Sequence, residues 1–217
     1  MTILKSERQR REDGSALLVV LLASSLLAAL GLALAALGSV ETVIASNQRA
    51  GSQLAYAAEA AAEGVLADLL TIPSWSDVLT GVANSRLQGH AVPPVGPGEP
   101  PVTLMQLTAT VQSEFDIQGS WGANHPRWRL FAHGWLTELA PMATTDSDEF
   151  IAAFVADDVG EGDGDPLVDS NRRLQIAARA MSARGIHRSF VMTVEQTSTL
   201  TSTGVPGVRV LTRKEIR

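Results

Sequence analysis

Hydrophobic and polar positions follow three different rhythms along the chain. Residues 15–40, SALLVVLLASSLLAALGLALAALGSV, are twenty-six consecutive uncharged positions dominated by Leu, Ala and Val. As a helix they extend about 39 Å at ~1.5 Å per residue, enough to cross a ~30 Å hydrocarbon core. From residue 41 to 70 the rhythm is helical on one face only. Leu54, Ala58, Ala61, Val65 and Leu69 recur at spacings of four, three, four and four, while Glu59, Glu63 and Asp68 fall off that stripe. Asn47, Gln48 and Gly51 weaken the first turns, and Pro73 is a natural stop. The pattern predicts one long helix over about 15–72, membrane-spanning at 15–40, with its second half laid against a domain. A cleaved secretory signal fits less well, because its apolar region is usually ~7–15 residues and leads into a mature domain rather than more helix.

Residues 89–101, GHAVPPVGPGEPP, hold five of the ten prolines and read as a linker or a long surface loop. Over 102–217 the period becomes two, as expected of a β-rich globular domain. Met105, Leu107, Ala109 and Val111 alternate with polar residues, which predicts a strand. Trp128, Leu130, Ala132 and Leu136 share one face of a second run, Leu174, Ile176, Ala178 and Ala180 one face of a third. Phe190, Met192 and Val194 do the same in the last clear strand, with Ser182–Gly185 as the turn before it. Glu149–Asp157 is compatible with strand or helix. The expected fold is α+β: a long amino-terminal helix packed on a small antiparallel sheet of four or five strands.

Composition sharpens this picture at three points. Only 18% of residues are charged, below the ~25% of an ordinary soluble domain, and the deficit is concentrated in the apolar span. A net charge of −6 argues against a nucleic-acid partner, which needs a basic face. With no cysteine, a disulfide framework, a thiolate metal site and a Cys nucleophile are all excluded. The leader carries Lys5, Arg8, Arg10 and Arg11 against Glu7, Glu12 and Asp13, whereas the far side of the span opens on Glu41 with only Arg49 nearby. The positive-inside rule then keeps the amino terminus cytoplasmic and exports the bulk of the chain.

Candidate chemistry is sparse. His90, His125, His133 and His187 lack metal-ligand spacing, and no Gly-x-Ser-x-Gly elbow is present, so neither a catalytic nor a cofactor site is assigned and an enzyme is not expected. Trp121, Trp128 and Trp135 could line a groove with His125 and His133, but by strand parity Trp128 and Trp135 point to opposite faces. The run Asp157–Asp165 holds five carboxylates in nine residues. Glu161, Asp163 and Asp165 stand at i, i+2 and i+4 as in a calcium loop, yet Arg172 occupies the place of the closing bidentate acid. Two readings stay open. One is an irregular calcium loop that also draws on Asp157, Asp158 or Asp169; the other, the commoner case and the reason no metal is assigned, is a solvated acidic turn.

A short basic leader, the junction Gly14-Ser15, the run Ser15-Ala16-Leu17-Leu18-Val19-Val20-Leu21-Leu22 and the continuation Ala57-Ala58-Glu59-Ala60-Ala61-Ala62-Glu63 together resemble the type IV pilin family, most closely its PilX-type minor pilins. The resemblance covers about 60 of the 217 residues. It implies a prepilin-type leader over 1–14, cut by a prepilin peptidase between Gly14 and Ser15 with methylation of the new amino terminus. The implied place is the bacterial inner membrane, single pass, and then a pilus or related filament. The implied partners are other pilins or pseudopilins through the helix, and a tip adhesin. Most pilins carry a Glu where Val19 stands, and major pilins often a Pro where Ala36 stands. Lack of that Glu is a trait of PilX-type subunits and of the largest minor pseudopilin of type II secretion, and it suits a subunit near the tip or in priming. A permanently anchored bitopic binding protein is the alternative from another class. Gly31, Ala35 and Ser39 step by four along one helix face, a spacing that permits close helix approach and that any Ala-rich span also produces by chance.

Overall fold

The structure is a computed structural model and describes residues 3–119, 124–139, 148–200 and 206–216, apart from the side chains of 3–14, 118 and 198–200. The chain divides into two compact units, Met1–Arg49 and Ala50–Arg217. One helix, α1, Ile3–Leu69, contributes to both. It passes through Asn47 and Gly51 without losing helical structure.

In the first unit, α1 from Ser15 onward is long and apolar enough to cross a membrane. Its leucines are exposed all round, as are Val19, Val20 and Val40. The hydroxyls that break the apolar run are satisfied within the helix. Ser24 donates to the Leu21 carbonyl at 3.0 Å, Ser25 to Leu22 at 2.9 Å and Ser39 to Ala36 at 2.7 Å. Thr42 donates to Gly38 at 2.8 Å. None of these four hydroxyls needs a water partner, the condition a lipid environment sets for polar groups.

The second unit is built on five strands: β1 Arg129–Trp135, β2 Glu149–Asp157, β3 Arg173–Ser182, β4 His187–Leu200 and β5 Pro206–Ile216. They lie in chain order and every neighbouring pair is antiparallel. Each sheet face has its own core. On one, Leu54, Ala58, Ala61, Val65 and Leu69 of α1 pack with α2, Trp75–Thr80, against Phe131, Ile151, Ile176 and Met192. The predicted helical stripe is therefore the buried one. Glu59 and Glu63, off the stripe, reach Arg213 of β5 at 3.6 and 2.5 Å. Asp68 is buried and fastens the end of α1 to the following loop. It accepts from Ser85 and, at 3.0 Å each, from the Arg86 backbone N–H and Nε.

The opposite face is covered by α3, Leu104–Gln118. Here the structure corrects the strand expected over Met105–Val111. Leu107 and Val111 are buried against Phe150, Phe154 and Ala177, but Met105 and Ala109 face solvent. Thr103 forms a capping box: its side chain accepts from the Gln106 N–H at 3.2 Å, and the Gln106 side chain accepts from the Thr103 N–H at 2.8 Å. Arg179 of β3, itself buried, pairs with Glu114 of α3 and donates to Ser189 at 3.1 Å.

Because helices cover both faces, β2 is buried at every position after Glu149 and shows no alternation, which is why its sequence was compatible with either element. A register shift between Leu130 and Ala132 breaks strand parity in β1. Leu130 therefore packs in the α3-side core and Ala132 in the α1-side core, not on one shared face. Leu136 belongs to a helical turn, α4, Leu136–Leu139, rather than to the strand. The faces anticipated for β3 and β4 hold in full. The turn between them places Gly185 at φ 77°, a left-handed conformation that favours glycine. A fifth strand, β5, lies beyond the last one the sequence marked. Residues 89–101 carry no helix or strand, as expected, and form a surface loop fastened to the domain. Gly89 donates to the His133 carbonyl at 2.7 Å, and Pro93 and Gly96 are buried.

Candidate functional site

The junction suggested by the sequence lies in α1. Gly14 has helical backbone, its surroundings lying outside the described residues, and Ser15 opens the exposed apolar run. Trp121 also lies outside the described residues. Trp128 and Trp135 do not point to opposite faces: both belong to the α3-side core, because the irregularity in β1 absorbs one residue between them. Trp128 meets Phe115 at a 37° tilt with ring centroids 4.4 Å apart, and Trp135 meets Phe150 edge-on at 5.6 Å. They are core residues, not a groove.

Among the described residues, one group of three metal-capable side chains converges. Asp157, Glu161 and Asp163 each place a carboxylate oxygen within 4.8 Å of the other two. Asp157 is the last residue of β2, and the loop that carries Glu161 and Asp163 folds back on it. The acidic run is a solvated turn only in part, with Gly160, Gly162, Asp163, Gly164 and Asp165 exposed but Asp157, Asp158 and Glu161 buried. Asp157 is fully buried and Glu161 is 4% exposed, with Asp163 at the open side.

The backbone and neighbouring side chains hold these groups in place. Asn124, fully buried, donates from Nδ2 to Asp157 Oδ2 at 2.5 Å and to the Asp158 carbonyl at 3.3 Å. The Asp158 N–H donates to Asp157 Oδ1 at 2.9 Å. Ser170 donates its N–H at 2.6 Å and its hydroxyl to Glu161 Oε1, whereas the buried Glu161 Oε2 meets no amide or hydroxyl donor. Asp169 accepts the Arg173 N–H at 3.1 Å and donates its own N–H to Ser76 of α2 at 3.1 Å. Arg172, between them, adopts φ 64°. Asp165 is not in the group, its Oδ1 accepting from the Leu167 N–H at 3.1 Å within its own turn.

Electrostatics follow from this burial. Desolvation lifts the Asp157 carboxyl to about 7, reinforced by the charges of Glu161 and Asp169 and opposed by the Asn124 amide and the Asp158 N–H. Burial also raises Glu161 and Asp169; the N–H of Ser170 and a side-chain hydrogen bond with Asp157 oppose the first shift, and the N–H groups of Arg172 and Arg173 oppose the second. The sequence reading found Glu161 and Asp163 through their spacing. It missed Asn124 and Ser170 as supports, since nothing local marks residues that meet the cluster only through the fold. Comparison with family models, curated proteins and solved structures returned no match.

Proposed function

We propose that the chain is a PilX-type minor pilin-like subunit that takes part in assembly of a type IV pilus. It acts through helix packing and domain contacts and not through catalysis. The observation that carries this reading is the order of features on α1. A basic leader ends at Gly14-Ser15, an uncharged exposed span follows without a break, and the same helix goes on to bury a narrow stripe against an antiparallel sheet. In this reading the leader is cytoplasmic, Ser15–Val40 lies in the inner membrane and the sheet domain is exported.

The test is the native amino terminus, read by mass spectrometry from cells with and without prepilin peptidase. A mature chain beginning at Ser15, seen only where the peptidase is present, is the expected result. A chain still beginning at Met1 in both strains, or one cut near residue 40, removes the assignment. Val19 leaves a minor pseudopilin of type II secretion as the second reading, and the genes beside this one distinguish the two systems.

A further inference from the structure

We infer that Asp157, Glu161 and Asp163 form a calcium site at the end of β2. The proximity of three carboxylates is the first observation. The second is independent of it: Glu161, 4% exposed, holds Oε2 out of contact with solvent and meets no amide or hydroxyl donor there, the Asp157 carboxyl lying beside its side chain. A buried carboxylate oxygen without an amide or hydroxyl donor is rare, and two carboxyls held together in this way need a shared proton or a cation between them. Its carboxylate lies beside those of Asp157 and Asp163, and a cation among the three would satisfy it.

The donor set selects the kind of ion. All three side chains offer oxygen only, the preference of hard cations, and no His or Cys stands in the group. Asp157 still has acceptor capacity on both oxygens, since each accepts a single N–H and a carboxylate oxygen has about two lone pairs. Asn124 and Ser170 orient the ligands from behind, as the supporting partners of metal ligands do. The loop from Gly160 to Gly164 is irregular and rich in glycine, which suits the six to eight adjustable positions of calcium better than the strict octahedron of magnesium. Water and the open side next to Asp163 would complete the shell. Bound calcium would fasten the loop to the end of β2 and so to β3, which starts at Arg173.

The full-length chain in a non-ionic detergent, freed of metal, is titrated with calcium chloride by equilibrium dialysis, and its melting temperature is followed with calcium and with chelator. One calcium per chain is expected, with a dissociation constant of about 10⁻⁴–10⁻³ M or tighter, and a higher melting temperature when it is bound. Asp163 is at the open side, so Asp163→Asn keeps the fold and should weaken binding by roughly tenfold or more. Glu161→Gln should do the same, while Asp165→Asn, outside the group, should bind within roughly twofold of the natural chain. Absence of saturable binding up to about 10 mM calcium overturns the site. So does an equal loss in Asp163→Asn and Asp165→Asn, which would mean diffuse attraction to an acidic surface. Competition by equimolar magnesium overturns the choice of ion.

Discussion

His133 shows how a single side chain can be placed by its neighbours and then titrate against the fold. Its backbone joins the loop before α3 to β1: the N–H donates to the Leu87 carbonyl at 3.0 Å and the carbonyl accepts from Gly89 at 2.7 Å. A Cβ on the adjacent Gly134 would come within 2.9 Å of Gly89 Cα, so this crossing of two backbones needs glycine. The ring is half-buried, Nδ1 has no hydrogen-bond partner, and burial depresses the imidazole below its ordinary value despite the opposing charge of Glu138. His187 is shifted the same way, by burial and by Arg179 and Arg188. In the unfolded chain both rings take up a proton near their ordinary value, whereas the folded chain resists it. The part of the stability that depends on these two rings is therefore complete above about pH 6.5 and declines as pH falls below it, while Asp157, lifted to about 7, works in the opposite sense. Relative to the natural chain, His133→Gln should therefore gain melting temperature as pH falls from about 7 to 5.5, because the variant has no such ring to protonate. An unchanged slope in His133→Gln would show that the ring does not resist protonation.

At the scale of elements, α3 shows what the sequence could and could not declare. Its buried residues Leu107 and Val111 satisfy two periods at once, standing at period two with Met105 and Ala109 or spaced three and four with Leu104 and Phe115. The alternation suggests a strand, but Met105 and Ala109 are exposed and the helical set is the one that packs. The signal that decides is Thr103-x-x-Gln106, a start mark independent of hydrophobic period. Thr103→Ala removes that cap at an exposed position and should destabilise the second unit by about 1 kcal/mol, with Thr103→Ser close to neutral. Chemical denaturation of the two variants checks this, and equal midpoints for Ala and Thr would show that the box contributes nothing. The stripe on α1 was legible because that helix is covered on one side only, and the faces of β3 and β4 because Leu174, Ile176, Phe190, Met192 and Val194 fall at period two on one face, even though β3 is buried on both. The β1 irregularity was not, since a single extra residue leaves no mark in composition yet reverses every parity beyond it. The acidic centre was half legible for a related reason: Glu161 and Asp163 sit close in sequence, but Asn124 reaches Asp157 across thirty-three positions.

On the scale of the whole molecule, the proposed role sets a requirement on how the apolar span meets other subunits. Pilins that carry a Glu five residues into the mature chain are thought to pair it with the amino terminus of a neighbour. An isolated carboxylate at such a depth costs about 2.5–3.5 kcal/mol on insertion scales, so it is tolerated only with a partner. Val19 avoids that cost and gives up the pairing, which fits a subunit that has none ahead of it. The sheet adds a second asymmetry. β1 is bridged on its outer side by Gln88, whereas β5 pairs only with β4 among the described residues and carries the exposed Lys214, with Arg209 and Arg213 held by Glu195 and by Glu59 and Glu63. Charges of this kind discourage repeated edge-to-edge pairing of identical domains, an arrangement that would suit a scarce subunit more than a repeating one. If the chain begins a filament instead of building its length, deleting it should lower the number of filaments per cell while the remaining filaments keep another pilin as their main component. Electron microscopy with labelled antibody gives the sharper reading: label confined to filament ends or the cell envelope is expected, and even decoration along the shaft would rule out the priming role.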